Sequence, residues 1–145
     1  MADDKILKLT DFQHARTRTE MYLGSRDPHT QMVLVYPEGK PQPKEMTWIP
    51  AVFTAFREIL DNSMDEVVGH GHGDRIDVTY DEATGVFTVE DNGRGIPFNY
   101  DETHKAHMAT LALSHARAGR NFESRGQVGG TNGIGASVVN FCSEY

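Results

Sequence analysis

Glu58 and Asn62 could carry chemistry, because they lie four residues apart and their side chains would meet on one face of a helix. A carboxylate there can act as a general base that orients a water molecule for attack on a phosphate. An amide oxygen is a hard, neutral ligand that suits Mg²⁺. Taken alone, however, such a pair is more typical of a solvated polar helix face.

Asp91 stands immediately before a glycine-containing turn that includes Gly93 and Gly95. An acid in this position can accept a hydrogen bond from an exocyclic amine, such as that of adenine. Glycines permit backbone angles and close approaches that other residues do not. Asp-Asn-Gly is also a common hairpin turn, which is the simpler interpretation of this segment alone.

A third segment is rich in glycine and precedes an apolar run that predicts a helix over 134–141. Backbone N–H groups in such a segment can face phosphate oxygens, and the helix dipole adds attraction. The segment is not a P-loop, since no Gly-Lys-Ser/Thr follows, and no strand clearly precedes it as in a dinucleotide fingerprint. One glycine cluster is weak evidence, but the three segments together predict a site for ATP and Mg²⁺. The glycines are Gly129, Gly130, Gly133 and Gly135.

Composition indicates one soluble globular domain. The chain has 145 residues, of which 38% are hydrophobic and 24% charged. It lacks an apolar run of about 20 residues and a secretory signal at its start, so we expect no membrane association. The single cysteine, Cys142, suits a reducing compartment, and we expect a cytoplasmic protein. With a net charge of −7 and no basic run, the chain is not expected to bind DNA tightly by itself.

The elements that must position these residues can be predicted from local patterns. Thr10 followed by Gln13 forms a capping-box pattern and predicts a short helix. Pro50 fits the first turn of a second helix that runs to Val68. One stripe of this helix is apolar, and Glu58, Asn62 and Asp65 fall on the opposite side. The stripe consists of Phe53, Phe56, Leu60, Met64 and Val67.

Residues 75–80 and 86–90 are β-prone and alternate between apolar and polar side chains, which predicts an antiparallel hairpin. Residues 32–36 are β-prone, whereas the prolines and glycine over 37–43 predict a loop. A helix is predicted over 107–118. His70 and His72 could suggest a metal site, but without further ligands nearby a flexible helix exit is the better interpretation.

In this order and at these spacings, the segments resemble the GHKL ATPase superfamily, whose shared nucleotide pocket is the Bergerat fold. A narrower resemblance is to type IIA DNA topoisomerases. Residues 17–25 look like their R-x-R-x-x-M-Y-I-G-S motif, 58–66 like E-I-[VI]-D-N-[AS]-x-D-E, and 91–97 like D-N-G-R-G-I-P. Residues 129–140 resemble G-G-x-[HN]-G-[VI]-G-[AS]-S-x-x-N. Asn132 stands where bacterial enzymes usually carry His, which favours the tailed-phage or eukaryotic branch.

The resemblance implies an α+β fold, a two-layer sandwich of a mixed or antiparallel sheet with helices on one face. It implies that Glu58 is the general base, that Asn62 holds Mg²⁺ and that Asp91 takes the adenine amino group, partly through water. Arg94 would pair with Glu66 beside the pocket. Residues 101–127 would form the ATP lid. The remaining nucleotide-binding or pocket-edge residues would be Asp61, Asp65, Gly93, Gly95, Ile96, Pro97, Gly129, Gly130, Asn132, Gly133, Ile134 and Gly135.

The resemblance also implies partners. These are a second ATPase domain that forms a homodimer on ATP binding, a DNA-cleaving subunit or domain, and DNA held by the whole assembly. Residues 1–145 are expected to be an N-terminal ATPase domain that is incomplete at its C-terminal end. The family's transducer domain, which supplies a lysine to the γ-phosphate, is not in this sequence. We therefore expect weak hydrolysis by the isolated chain.

Two alternatives remain at this point. One is another GHKL ATPase: a mismatch-repair protein, a chaperone or a histidine kinase. A kinase would require a phosphoacceptor histidine on an upstream dimerisation helix. The other is a fragment that binds nucleotide without turnover.

Overall fold

A computed structural model describes residues 6, 8–116 and 133–144. Five helices and six strands lie in these ranges, with a 3₁₀ turn at Pro37–Gly39 and a π turn at Asp65–Gly69. In the part of the chain that the structure describes, no helix has the length and apolar character needed to span a bilayer. The helices are α1 (Asp11–Thr17), α2 (Glu20–Leu23), α3 (Pro50–Met64), α4 (Met108–Ser114) and α5 (Gly135–Cys142); the strands are β1 (His29–Val35), β2 (Gln42–Trp48), β3 (Ile76–Asp81), β4 (Val86–Asp91), β5 (Tyr100–Asp101) and β6 (Ala106–His107).

Helix α1 begins with the predicted capping box. The backbone N–H of Gln13 donates to Thr10 Oγ1 over 3.2 Å, and the N–H of Thr10 donates to Gln13 Oε1 over 3.0 Å. The helix packs on α5, where the rings of Phe12 and Phe141 meet edge to face at 5.9 Å. This contact attaches the N-terminal segment to the helix that follows the glycine-rich segment.

Helix α3 is central, because it contacts α2 and α5 on one side and β4 on the other. Its start at Pro50 confirms the prediction, and the π turn over Asp65–Gly69 ends it. Leu23, Ala51 and Val138 form the buried core between α2, α3 and α5. The core is therefore built on the helix side of α3.

The apolar stripe of α3 is covered only in part, and the polar side opposite it is not uniformly exposed. Phe56 of the stripe packs on Phe87 of β4, with ring centroids 4.9 Å apart, but Phe53 and Met64 stay exposed. Asp65, which lies on the side opposite the stripe, is buried. The physical reason is that α3 has neighbours on both sides, and a two-stranded hairpin covers only part of the stripe.

The strands form three separate antiparallel pairs among the described residues: β1 with β2, β3 with β4, and β5 with β6. The predicted hairpin is confirmed, with Val78 opposite Val89. The loop predicted over 37–43 is wrong at its end, because β2 starts at Gln42 and includes Pro43 opposite Leu34. Proline is tolerated there because both strands of a two-stranded sheet are edge strands.

Helix α4 ends at Ser114, earlier than the predicted helix over 107–118, whose last two residues lie outside the described ranges. Helix α5 confirms the prediction of a helix after the last glycines. Helices and antiparallel strands coexist as expected for an α+β fold.

Candidate nucleotide site

Glu58 and Asn62 lie on α3, as their spacing predicted. The amide nitrogen of Asn62 donates to the backbone carbonyl of Glu58 over 2.8 Å. This contact orients the amide and leaves its oxygen, Oδ1, as the atom that can bind a cation. Asn62 is exposed and Glu58 half-buried, so both can be reached by a ligand that lies against this side of α3.

The carboxylate of Glu58 lies against the first residue of α5. A Cβ atom at Gly135 would collide with Glu58 Oε2 and would lie 3.0 Å from Glu58 Cδ. Only glycine therefore lets α3 and α5 approach this closely with Glu58 in place. The N-terminus of α5 carries a partial positive charge, which favours the neighbouring carboxylate. The structure thus brings the first and third sequence segments together.

Asp91 is held by two hydrogen bonds from different elements. Its Oδ1 accepts from the backbone N–H of Gly93 over 2.9 Å, and its Oδ2 accepts from the hydroxyl of Ser63 over 2.7 Å. Ser63 is buried on α3, directly after Asn62. Nothing in the local sequence identifies Ser63, since only the packing of α3 on β4 places it beside the acid.

Arg94, in the loop that follows β4, donates three hydrogen bonds to the carboxylate of Glu66. The guanidinium donates to Glu66 through Nε over 2.7 Å and through Nη2 over 3.0 Å, and the backbone N–H of Arg94 donates to Oε1 over 3.0 Å. The hydrogen bond to Glu66 raises the pKa of Arg94 above its ordinary value. A Cβ atom at Gly93 would collide with Glu66 Cγ, so this contact also requires glycine at position 93.

Asn92 is a second contact residue whose partners cannot be identified from the local sequence. Its Oδ1 accepts from the backbone N–H groups of Asp74 and Arg75, each over 3.0 Å, and its Nδ2 donates to Asp74 Oδ1 over 2.8 Å. These bonds join the loop after β4 to the segment that precedes β3. Asn-Gly indicated only a turn, and nothing local identifies such a partner eighteen residues away.

Four other predicted site residues lie in the loop after β4 and on α3. Gly95 has a φ of +73°. Ile96 is exposed and Pro97 half-buried, so the side chain of Ile96 is open to solvent. Asp61 pairs with Arg57, one turn away on α3, with Nε and Oδ2 3.7 Å apart.

Towards α5, Ile134 packs against the core cluster and Gly133 precedes it. The predicted residues Gly129, Gly130 and Asn132 lie outside the described ranges. Of the predicted lid, residues 101–116 are described and contain β6 and α4. The backbone N–H of His104 donates to Asp101 over 2.8 Å, and this bond lowers the pKa of Asp101.

The donor atoms suit a magnesium nucleotide. Mg²⁺ keeps several waters and binds through one or two protein oxygens together with phosphates. The amide oxygen of Asn62 and the nearby Glu58 carboxylate are hard oxygen donors of this kind. Within residues 8–116 and 133–144 no group of three or more His, Cys, Asp and Glu side chains could hold a metal by itself, and the rings of His70 and His72 stack on each other.

The protein family to which this chain belongs is shown by its similarity to known proteins. Residues 49–145 match the sequence model of the family described as "Histidine kinase-, DNA gyrase B-, and HSP90-like ATPase". The match covers more than half of the chain, and the chain belongs to this ATPase family.

The relatives that this chain resembles in sequence are DNA topoisomerases. The chain is 32% identical over 148 residues to DNA topoisomerase 2 of Penicillium chrysogenum, covering 98% of this chain and 9% of the relative. It is 36% identical over 146 residues to the B subunit of DNA topoisomerase 4 from Staphylococcus aureus, covering 99% of this chain and 18% of the relative. The chain thus spans only a small part of these relatives.

The fold is also similar to that of a solved topoisomerase structure. The ATPase region of Saccharomyces cerevisiae topoisomerase II superposes with a TM-score of 0.84 at 28% identity, over 96% of this chain and 38% of that one. The predicted GHKL fold is therefore confirmed. The relation to phage enzymes stays a prediction.

Proposed function

We propose that this chain binds Mg-ATP and serves as part of the ATP-hydrolysing domain of a type II DNA topoisomerase. The observation that carries the proposal is the position of α3 between the other two parts of the site. Ser63 on α3 bonds to Asp91, and Glu58 on the same helix lies against the start of α5. One helix therefore connects a group suited to a purine amine with a group suited to phosphate chemistry.

Each residue then has a chemical role. Glu58 acts as the general base that takes a proton from the attacking water. Asn62 Oδ1 binds Mg²⁺, which neutralises phosphate charge during transfer. Asp91 accepts the adenine amino group. Backbone N–H groups near the start of α5, at Gly133, Ile134 and Gly135, face the phosphates.

Further residues complete the proposed pocket. Asp61 and Asp65 support its edge, and the Arg94–Glu66 pair fixes the loop beside the adenine. Residues 101–127 cover the bound nucleotide as a lid. The glycine-rich segment contacts the triphosphate. The remaining contacts come from Gly93, Gly95, Ile96, Pro97, Gly129, Gly130 and Asn132.

In the whole enzyme, ATP binding would bring two such domains together and close a gate for DNA passage, and hydrolysis would reopen it. The proposed partners are a second copy of this domain, a DNA-cleaving subunit or domain, and DNA. The net charge of −7 supports DNA contact through the assembly rather than through this chain alone. The proposed location is the cytoplasm, which is the host cytoplasm if a phage encodes the protein.

Calorimetric titration with ATP tests the nucleotide site. Asp91→Asn should weaken binding at least about tenfold, since an amide that donates towards the adenine amine replaces an acceptor. Asn62→Ala should weaken binding when Mg²⁺ is present and should have little effect in excess chelator. Asp27→Asn, at an exposed acid between α2 and β1, serves as the control. Unchanged affinity in both site variants would refute the assignment.

Relaxation of supercoiled DNA tests the topoisomerase role. The enzyme assembled with its DNA-cleaving partner should relax DNA only with ATP, and Glu58→Ala should abolish turnover while ATP still binds. ATP hydrolysis without any change in DNA topology would favour another member of the ATPase family. ATP binding without hydrolysis in the assembled enzyme would favour a binding module.

A further inference from the structure

We infer that Ser63 is a positioning residue that orients the Asp91 carboxylate towards a 6-amino purine and so contributes to base selection. This inference rests on the proposed role of Asp91. The Ser63 hydroxyl donates to Asp91 Oδ2 over 2.7 Å, and Ser63 is only 6% exposed. The serine end of this bond is therefore shielded from water, while the carboxylate is half-buried.

The two hydrogen-bond donors to Asp91 hold both oxygens of its carboxylate. Rotation about χ2 of an aspartate is broad, so one hydrogen bond would leave the plane of the carboxylate loosely defined. Here the Gly93 N–H holds Oδ1 over 2.9 Å while Ser63 holds Oδ2. An ionised carboxylate has about four lone-pair sites, so two remain for an incoming amine and a water.

The position of Ser63 follows from the geometry of α3. Successive helical residues project about 100° apart, so Ser63 faces β4 while Asn62 projects to the neighbouring side. The serine thus hydrogen-bonds the helix carrying Glu58 and Asn62 to the strand carrying Asp91. Alanine at this position would keep the helix and its packing but would remove the donor.

Base selection follows from the orientation of the acceptor. A fixed carboxylate oxygen favours a ligand N–H and rejects an analogue that presents no donor, because the site's polar atom is then left unpaired. A carboxylate free to rotate can turn towards solvent, and its preference for the amine becomes weaker. Ser63 should therefore affect binding only for ligands that carry the amine.

Calorimetric titrations with ATP and with purine riboside triphosphate, which lacks the 6-amino group, test this inference. The wild-type protein should prefer ATP, and Ser63→Ala should lose about fivefold to tenfold in ATP affinity. Affinity for the purine riboside triphosphate should stay unchanged. Ser63→Thr retains a hydroxyl and should therefore keep the preference for ATP. Thr47→Val removes an exposed hydroxyl, hydrogen-bonded to Thr30, on the separate β1–β2 hairpin, and is the matched control.

The ratio of the two affinities is the decisive quantity, because it does not depend on the folded fraction of a variant. A ratio that is the same in Ser63→Ala as in the wild type would overturn the inference, whether both affinities fall or neither does. Even with an unchanged ratio, the proposed function would stand if the wild-type protein prefers ATP and Asp91→Asn abolishes that preference. Equal wild-type affinity for both nucleotides would instead contradict the adenine role of Asp91 and this inference with it.

Discussion

Replacing Gly135 by alanine should leave the stability of the protein nearly unchanged but should lower its rate of ATP hydrolysis. The added Cβ would occupy the space of Glu58 Oε2 at the first residue of α5. The atom in the way is the far end of a flexible side chain, so the carboxylate can rotate out of place without moving the backbone. We therefore expect a folded protein whose proposed general base is displaced.

The magnitudes follow from two opposing terms. Alanine is favoured over glycine in a helix by about 1 kcal/mol. Forcing Glu58 from its rotamer costs about 0.5 to 1.5 kcal/mol. The two terms nearly cancel, so the melting temperature of Gly135→Ala should stay within about 3 °C of the wild type. Displacing a catalytic group by about 1 Å costs about a hundredfold in rate, which is the loss of ATP hydrolysis that we expect.

A double-mutant cycle with Glu58→Ala measures the contact directly. Without the carboxylate the collision disappears, so Gly135→Ala should then stabilise the protein by about 1 kcal/mol, or about 3 °C. The two substitutions should thus show a coupling of about 1 kcal/mol in thermal or urea unfolding. Equal effects of Gly135→Ala in both backgrounds would refute the close contact. Wild-type hydrolysis by Gly135→Ala in the assembled enzyme would refute the importance of the Glu58 position.

Two further predictions concern stability. Arg16 donates over 3.0 Å to the carbonyl of Ser143 at the end of α5, so Arg16→Ala should lower the free energy of unfolding by about 1 kcal/mol in a urea titration; an unchanged midpoint would contradict this capping role. Hydrogen bonds from the side chain of Thr84 and then from the Ala83 N–H lower the pKa of Asp81. Because the folded pKa is lowered, this stabilisation is present above the ordinary carboxyl pKa of about 4 and is lost as the pH falls through the lower folded value. Asp81→Asn should therefore reduce the acid sensitivity of unfolding, and identical pH profiles for the two proteins would contradict the prediction.

Local patterns predicted the elements that depend on near neighbours. The capping box at Thr10 and the start of α3 at Pro50 involve only residues within one or two helical turns. The β3–β4 hairpin likewise follows from alternation across a short connection. The β1–β2 hairpin was predicted only in part, because a proline-rich segment usually indicates a loop, and pairing with β1 made Pro43 part of a strand.

The candidate site shows the same division. Residue types and spacing alone singled out Glu58 with Asn62, Asp91 and the glycines before α5, since helix geometry and glycine chemistry are local properties. Only the tertiary structure decided that Glu58 meets Gly135 and that Ser63 holds Asp91. Ser63 and Asp91 are 28 residues apart, and a side-chain contact at that separation depends on how α3 packs on β4. The chemistry of each residue is thus determined by its type, whereas its partner is determined by packing between distant segments.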